Sequence, residues 1–348
     1  MSSPDQQSQK LLRDVSRSFY LTLRVLPAAI RPQISLAYLL ARATDTIADT
    51  NLVPVKARLV SLRELRSAIR ESAAGQQSRI PELGELADAH AEVAGQGSAA
   101  ERILLEKISE ALATLRGLHS GDRERIMEVL EIITRGQEMD LIRFETASSE
   151  RLVALDTDDE LQEYTYSVAG CVGEFWTKMC LAHLLPDEQL DNLPLLTNGI
   201  RFGKGLQLVN ILRDLPRDLR LGRCYIPTRR LTELGLSPED LLEPGTMPRF
   251  RPLYDRYLAQ ASEQLAAGWE YTNALPRRQV RLRLACAWPI LIGMKTIPLL
   301  RTCNVLDPRQ RLKVRRYEIQ ALILHSLVVY PFPSLWCRLF PRQCNGQM

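Results

Sequence analysis

The sequence predicts an all-α protein, and three observations carry that prediction. Apolar residues recur with a helical period of about 3.6 residues over several long segments. Strand-like alternation of apolar and polar residues is scarce, and the regular turn spacing of sheet proteins is missing. The 348 residues show no repeat of fixed period and no abrupt change of composition. We therefore expect a single large helical bundle around a central cavity.

The predicted helices follow one another with few interruptions. The periodic segments are, in chain order, residues 36–49, 101–118, 125–144, 160–185, 197–215 and 253–275. Two stretches rich in glycine, proline or small polar residues predict loops. They are residues 71–100, with a short helix inside, and residues 243–252, "EPGTMPRFRP".

Composition limits the classes of function. Apolar residues make up 45% of the chain, charged residues 25%, and the net charge is +4. This weak basicity does not indicate nucleic acid, but it suits an acidic substrate or an anionic membrane surface. The seven cysteines form no C-x-x-C pair, the four histidines lack zinc-site spacing, and "MSSPDQQSQK" is not a signal peptide. We expect reduced thiols in a cytoplasmic protein.

Residues 210–218, "NILRDLPRD", place two aspartates in an otherwise apolar neighbourhood. Asp214 and Asp218 are four residues apart, so a helix would point both the same way, with Asn210 one turn earlier. Like charges at this spacing repel each other, and enclosing them requires a positive partner. A single such pair is equally well explained by a solvated surface.

A second pair makes the functional interpretation stronger. Asp45 and Asp49 have the same spacing, and Arg42 and Arg213 precede the two pairs. Two acidic helices facing each other across a cavity would suit Mg²⁺, which combines carboxylates with water and phosphate oxygens. The metal would stabilise a diphosphate leaving group, and the arginines would take remaining phosphate charge. When an allylic diphosphate loses its diphosphate group, a carbocation forms, and an apolar cavity would protect this carbocation from water.

Four motifs carry a resemblance to a known family. They are "SRSF" at 16–19, "ARATDTIAD" at 41–49, "YTYSVAGCVG" at 164–173, and "GLQLVNILRDLPRD" followed by "GRCYIP". In this order and spacing the sequence resembles the squalene and phytoene synthases, which are head-to-head prenyl transferases, over about residues 13–325. The resemblance implies the isoprenoid-synthase type of helical bundle and one prenyl-synthase domain over residues 1–348.

The resemblance also implies roles for individual residues. Asp45, Asp49, Asp214 and Asp218 match the carboxylates that hold Mg²⁺ and diphosphate, and are counted as catalytic. Tyr164 matches a tyrosine with a catalytic role near the reacting carbons. A phenol can move a proton, and its ring can stabilise a cation. A packed core tyrosine is the alternative interpretation of this residue.

Further positions match binding residues of the family. Those matching the substrate pocket are Ser16, Ser18, Phe19, Tyr38, Arg42, Val168, Gly173, Gln207, Asn210 and Arg213. Those matching phosphate- and cofactor-contacting arginines are Arg17, Arg42 and Arg213.

The motifs depart from the family at two places. Ala48 stands where eukaryotic squalene synthases have a third acid, and Arg217 stands where an acid often precedes the last aspartate. The D-x-x-x-D spacing survives in both motifs. Pro216 is expected to kink the helix or to end it nearby, which would affect the direction of Asp218 more than that of Asp214.

The family divides over whether the product is reduced. Squalene formation consumes NADPH, whereas dehydrosqualene and phytoene formation do not. The segment beginning "CAWP" resembles the corresponding squalene synthase segment, and Lys313, Arg315 and Arg316 match its NADPH-phosphate contacts. A solvated basic face is the alternative. The sequence thus favours a squalene synthase that uses two farnesyl diphosphates, Mg²⁺ and NADPH; the alternative is a dehydrosqualene or phytoene synthase.

The last apolar stretch, residues 319–340, is too interrupted to supply the about 20 residues that span a membrane. We expect a core helix followed by an interfacial segment within residues 326–348, with a peripheral position on the membrane as the alternative to a purely cytoplasmic one. No required protein partner is evident. Two other classes remain open: a non-catalytic helical scaffold with solvated carboxylates, and a head-to-tail prenyl elongase or cyclase, which the "SRSF" and "YTYSVAGCVG" matches do not favour.

Overall fold

The computed structural model describes residues 11–15, 20–50, 52–79, 83–84, 86–87, 96–185, 192–307, 309–310 and 312–340. The chain divides into two compact units. The N-terminal unit comprises Met1–Glu145 and Glu174–Gln189, and the C-terminal unit comprises Thr146–Gly173 and Leu190–Met348. The expectation of a single prenyl-synthase domain stays a prediction.

The N-terminal unit consists of helices. They are α1 (Tyr20–Val25), α2 (Arg31–Asp49), α3 (Val55–Ala73), α4 (Gln96–Glu106), α5 (Ile108–Arg116) and α6 (Ser120–Arg143). Residues 174–183 of a further helix belong to the same unit. Residues 101–118 were expected to form one helix, but Lys107 separates α4 from α5.

Helix α6 packs against both α2 and α3. Apolar residues at helical spacing form the contact faces, among them Leu62, Leu65 and Ile69 of α3, each with at most 2% of its surface exposed. Burying one such side chain contributes about 1.5–3 kcal/mol. Beside this core, Arg70 of α3 donates to Glu131 of α6 at 2.7 Å, which adds a polar contact between the two helices.

The C-terminal unit contains the remaining elements. They are β1 (Val153–Ala154), α7 (Asp158–Thr165), a π-helical segment (Tyr166–Gly170), the start of α8 (Cys171–His183), α9 (Asn192–Arg220), β2 (Arg223–Cys224), α10 (Thr228–Thr232), two 3₁₀ turns (Glu239–Leu242 and Pro244–Thr246), α11 (Met247–Ala274), α12 (Val280–Thr302), α13 (Arg316–Val329) and α14 (Pro333–Cys337). Helices α9, α11 and α12 pack together as the centre of this unit.

Strand structure is minimal in the described residues, so the all-α prediction is confirmed. Strands β1 and β2 pair in parallel over two residues each, and Ser148 and Arg151 form an isolated bridge. The β1–β2 ladder joins the chain just before α7 to the chain just after α9. It thereby brings two of the sequence motifs together.

Three prolines lie inside helices or in a first turn. Residues 243–252 were expected to be a loop, but α11 begins at Met247, with Pro248 in its first turn, where a missing N–H costs nothing. Pro252 lies inside α11. Helix α9 continues through Pro216 and ends four residues later at Arg220, which agrees with the expectation that it would end nearby.

One helix of the described chain, α12, is long and apolar enough to cross a membrane by length and composition. Of its most apolar stretch, 72% is buried inside the protein, as in the core helix of a globular unit. The final apolar segment forms α13 and α14. Helix α13 buries Leu322, Ser326 and Val329, whereas its other large apolar residues are mostly exposed.

Candidate active site

The first aspartate motif lies on α2. Tyr38, Arg42, Asp45 and Asp49 follow one another at intervals of four, three and four residues, which places them on one face of the helix. The opposite face is apolar and fully buried, for example at Leu40. The predicted common face of Asp45 and Asp49 is therefore confirmed by the helix.

Asp45 is held in an unusual electrostatic environment. Burial, and then the nearby charge of Asp49, raise the pKa of Asp45 to about 6, although Arg42 and Gln137 act in the opposite direction. The side chain nevertheless keeps 47% of its surface open to water. Asp45 is thus surrounded by protein while remaining accessible, and its surroundings favour either a proton or an added positive charge.

Arg42 and two residues absent from the sequence prediction complete this site. Arg42 lies 3.7 Å from Asp45 and forms an ion pair with Glu101 of α4, and Gln137 of α6 donates to Asp45. The Nε of Arg42 and the Oε1 of Gln137 are among several side-chain atoms of the described residues that are buried without a hydrogen-bond partner. Buried polar groups of this kind fit a site that receives a polar or ionic ligand.

The position of Gln137 in the helical pattern indicates a buried polar residue. Gln137 is a polar residue 7% exposed, one turn from the buried Ile133 and Leu141 on the core-facing side of α6. A glutamine in the middle of an apolar face requires a polar partner. No sequence pattern indicates the role of Glu101, because its partner Arg42 is 59 residues away.

The second aspartate motif lies on α9, in the C-terminal unit. Gln207, Asn210, Asp214 and Asp218 are spaced by three, four and four residues and are all half-buried, whereas the intervening leucines are buried. The helix passes through Pro216, so Asp214 and Asp218 share a face despite the proline. The further prediction that the two aspartate pairs face each other joins residues of both units and stays a prediction.

Arg213 forms a bidentate ion pair with its neighbour Asp214. Its Nε donates to Oδ1 at 2.9 Å and its Nη2 to Oδ2 at 2.6 Å. This hydrogen bonding raises the pKa of Arg213, with the charge of Asp218 adding to it. Each aspartate motif thus has an arginine beside its first carboxylate, Arg42 in one and Arg213 in the other.

The central motif includes a π-helical segment at the junction of α7 and α8. Tyr164 lies in the last turn of α7 and is half-buried, and Val168 lies in the π segment. The ring of Tyr164 stacks on the buried Tyr225, with ring centres 4.6 Å apart. Tyr225 belongs to "GRCYIP", so the structure joins two motifs that are separated in sequence. π-helical segments occur frequently at functional sites.

Helix α9 crosses the central motif with backbone against backbone. A Cβ added to Gly173 would lie 1.9 Å from the carbonyl oxygen of Gly199, and one added to Gly203 would lie 2.1 Å from that of Ala169. Only glycine permits this approach. Gly173 therefore has a packing role, and its predicted contact with substrate stays a prediction. The crossing fixes α9 relative to Tyr164.

The start of α7 is anchored by Asp158. Tyr257 and Arg230 donate to its two carboxylate oxygens at 2.6 Å each, and Arg256 lies 3.5 Å away. Burial opposes the ionisation of Asp158, but these partners outweigh it and hold its pKa below the ordinary value. The cluster lies six residues before Tyr164 and holds the helix that carries it.

The remaining predicted residues are placed as follows. Lys313, Arg315 and Arg316 are exposed at the start of α13, where Glu318 accepts a hydrogen bond from the backbone of Arg315. Ser16, Arg17, Ser18 and Phe19 lie outside the described residues. Within the described chain, no three His, Cys, Asp or Glu side chains form a group that could hold a metal by themselves. The metal and cofactor assignments stay predictions.

The chain belongs to the squalene/phytoene synthase family, because the sequence model of that family matches residues 12–318. A bifunctional lycopene cyclase/phytoene synthase of Colletotrichum graminicola is 30% identical over 275 residues, covering 78% of this chain and 42% of the relative. A squalene synthase of Schizosaccharomyces pombe is 23% identical over 319 residues, covering 91% of this chain and 64% of the relative. The chain thus spans less than half of the cyclase/synthase it matches.

The solved structures share the fold. The complex of TcSQS with the ligand E5700 superposes with a TM-score of 0.74 at 20% identity, covering 98% of this chain and 92% of that one. The isoprenoid-synthase type of all-α fold, expected from the resemblance, is confirmed.

Proposed function

We propose that the protein is a squalene synthase, which condenses two farnesyl diphosphates head-to-head through presqualene diphosphate and reduces the intermediate to squalene. Two aspartates on one helix face with an arginine beside the first, repeated in a member of this family, support the prenyl-transfer step, and the exposed basic cluster Lys313, Arg315 and Arg316 supports the reduction. The scaffold alternative gives no reason for placing Asp45 beside Asp49 in surroundings that raise its pKa to about 6.

The donor set fits magnesium bound together with a diphosphate. Asp45, Asp49, Asp214 and Asp218 would hold Mg²⁺, which takes few carboxylates and completes its coordination with water and phosphate oxygens. When bound, the metal would stabilise the negative charge of the departing diphosphate.

The side chains of the protein would supply the other steps. Arg42 and Arg213 would exchange part of their carboxylate contacts for phosphate oxygens, because guanidinium groups bind both. Tyr164 would present its hydroxyl and ring to the reacting carbons, held in place by Tyr225. The phenol can hold or move a proton, and the ring face stabilises positive charge.

NADPH would require cationic anchors for its phosphates. Lys313, Arg315 and Arg316 are exposed and suit this role, as do Arg17, Arg42 and Arg213 from the family resemblance. No glycine fingerprint for a dinucleotide occurs in the sequence. The alternative function is a dehydrosqualene or phytoene synthase without a reduction step. The observation that supports this alternative is the 30% identity to a relative that contains a phytoene synthase.

One experiment separates the two functions. The purified protein is incubated with farnesyl diphosphate and Mg²⁺, with and without NADPH, and the products are identified by mass spectrometry. We expect presqualene diphosphate without NADPH and squalene with it. Dehydrosqualene or phytoene in the presence of NADPH would transfer the assignment to the alternative, and absence of any prenyl product would favour the scaffold.

Variants test the assigned roles in the same assay. Asp45→Asn or Asp214→Asn is expected to abolish diphosphate release in a folded protein, whereas near-normal turnover would refute the metal role. Tyr164→Phe is expected to slow carbon–carbon coupling more than binding. Replacing Lys313 and Arg315 by alanine is expected to spare presqualene diphosphate formation and to reduce squalene. Equal loss of both steps would show that the cluster does not serve NADPH specifically.

We also propose that the protein docks on an anionic lipid surface through the exposed apolar face of α13 and α14. This face exposes 65% of Leu324 and 61% of Val328, which are one turn apart on α13, and Phe332, directly before α14, is 56% exposed. The exposed Arg338 lies directly after α14 and complements anionic lipid.

Vesicle flotation tests this surface. The double variant Leu324→Ser/Val328→Ser is expected to lose most of the binding to anionic vesicles. Leu193→Ser, an exposed leucine of α9, is the matched control and should bind like the unmodified protein. Equal flotation of both variants, or equal binding to neutral vesicles, would refute the proposal.

A further inference from the structure

Pro216 interrupts the hydrogen bonding of α9 at the second aspartate motif. In a helix, each backbone N–H donates to the carbonyl four residues earlier. Proline has no N–H, so the carbonyl of Leu212 loses its regular donor. The side chain of Leu212 is fully buried, and a buried carbonyl without a donor is costly. The helix nevertheless runs on to Arg220.

The missing donor is replaced from another helix. The hydroxyl of Tyr254, on α11, donates to the carbonyl oxygen of Leu212 at 3.0 Å. Tyr254 has no exposed surface, so its hydroxyl has no competing contact with bulk water. Burial raises the pKa of this hydroxyl, which therefore keeps its proton at physiological pH.

The ring of Tyr254 is itself held in position. Phe250, one turn earlier on α11, packs against it with ring centres 5.6 Å apart. The guanidinium of Arg251 lies 5.5 Å from the ring centre. Arg251 in turn donates to the carbonyl of Leu300 on α12. The hydroxyl is thus aimed at α9 by contacts within the core of the C-terminal unit.

The bond lies directly behind the predicted ligand face. Asp214 lies between Leu212 and Pro216, and Asp218 lies two residues after the proline. The leucines of this turn are buried towards the core, and the aspartates are half-buried on the other side. A shift of the turn at Pro216 would change the direction of Asp218 relative to Asp214.

We propose that Tyr254 is a positioning residue, whose hydroxyl substitutes for the helical bond that Pro216 cannot make and so keeps Asp214 and Asp218 on one face. The claim that the Tyr254 hydroxyl replaces the missing helical bond rests only on the geometry of α9 and α11. The consequence for metal and diphosphate binding rests on the proposed function.

A double-mutant cycle tests the structural part. Tyr254→Phe removes only the hydroxyl, and Pro216→Ala restores a backbone N–H for Leu212. We expect Tyr254→Phe to lower the urea midpoint of unfolding clearly in the natural background and only slightly in the Pro216→Ala background, because the helix then supplies the bond itself. If Tyr254→Phe prevents folding, Pro216→Ala should restore it. Equal effects of Tyr254→Phe in both backgrounds would overturn the inference.

Kinetics test the positioning part. With saturating prenyl diphosphate, Tyr254→Phe should raise the Mg²⁺ concentration for half-maximal turnover by about 10-fold, and Pro216→Ala should reverse most of this shift. A purely structural tyrosine would lower the urea midpoint without moving the Mg²⁺ dependence, and that result would refute the positioning role.

Tyr257→Phe is the matched control. Tyr257 is also buried on α11, but its hydroxyl donates to Asp158 and not to α9. Its loss should lower the urea midpoint equally in the natural and the Pro216→Ala backgrounds, and leave the Mg²⁺ dependence unchanged. A natural protein without any prenyl turnover would refute the proposed function and the positioning role with it, whereas the coupling in unfolding would still decide whether Tyr254 replaces the helical bond.

Discussion

The side-chain amide of Gln137 on α6 donates a hydrogen bond to the carboxylate of Asp45 on α2. This bond stabilises the ionised carboxylate, whereas burial and Asp49 favour the protonated form. The charge of Asp45 is therefore set by a balance in which a residue from another helix takes part. The balance has measurable consequences for activity and for stability.

Removing the Gln137 amide should shift the pH dependence of turnover. Protons and Mg²⁺ compete for Asp45, so activity should fall as the pH drops through about 6. Gln137→Leu deletes a hydrogen bond to a charged group, which raises the carboxyl pKa and moves the midpoint of the acid limb upwards by about 1 pH unit. The measurement is kcat/KM from pH 5 to 8. Gln33→Leu, beside Asp122 in the same unit, is the control and should keep the natural midpoint.

Asp45→Asn should make the protein more stable while it abolishes turnover. The folded-state pKa of about 6 exceeds the ordinary value of 3.8, so the contribution of Asp45 to stability is largest below about pH 4 and declines as the pH rises to 6. At pH 7.5, with EDTA present, removing the charge should raise the unfolding free energy by about 1 kcal/mol, a value reduced for the water-exposed part of the side chain. The gain should vanish near pH 4. A loss of stability at both pH values would contradict the proposed environment.

Asp158→Asn should change the unfolding free energy in the opposite direction and make the protein less stable at neutral pH. The pKa of Asp158 is held below its ordinary value, so its contribution to stability is present above about pH 4 and is lost as the pH falls through the folded-state pKa. At pH 7.5 the substitution should lower the unfolding free energy by about 1–3 kcal/mol, because charged hydrogen bonds from Arg230 and Tyr257 are weakened. Urea unfolding at pH 7.5 and pH 3 checks this. A penalty that is unchanged in acid would argue against an ionised Asp158.

Gly203→Ala should be among the most damaging single-methyl changes in the C-terminal unit. The added Cβ would lie 2.1 Å from the carbonyl oxygen of Ala169, so backbone must move. We expect a loss of about 3 kcal/mol or more and reduced turnover, measured by urea unfolding and by the prenyl transfer assay. Gly245→Ala is the matched control, since no atom lies within 4 Å of its added Cβ. Comparable losses for the two variants would refute the tight crossing.

Much of the fold was predictable because helical periodicity is local. The common face of Asp45 and Asp49 required only the geometry of one helix, and the same holds for Asp214 and Asp218. The contact of Gln137 with Asp45 joins residues 92 apart, so no local pattern reveals it. The π-helical segment was equally hidden, because its shifted hydrogen bonds depend on what packs against it.

Pro216 shows where a sound local rule was insufficient. Proline weakens a helix because it removes one donor and adds a steric conflict. The sequence could not indicate that a tyrosine 38 residues later would replace the donor. The expectation that α9 would end near the proline agrees with its end at Arg220, but the local rule could not show how the missing bond is replaced.

The glycine crossing between α9 and the central motif has a consequence for engineering and for sequence drift. Where two backbones touch, no side chain remains that mutation could enlarge, trim or recharge, and every substitution at Gly173 or Gly203 brings a Cβ into a carbonyl group. A mutant library aimed at these positions would return mainly misfolded clones. Diversity must come from neighbouring positions that do carry a side chain, such as the half-buried Val168 and Gln207.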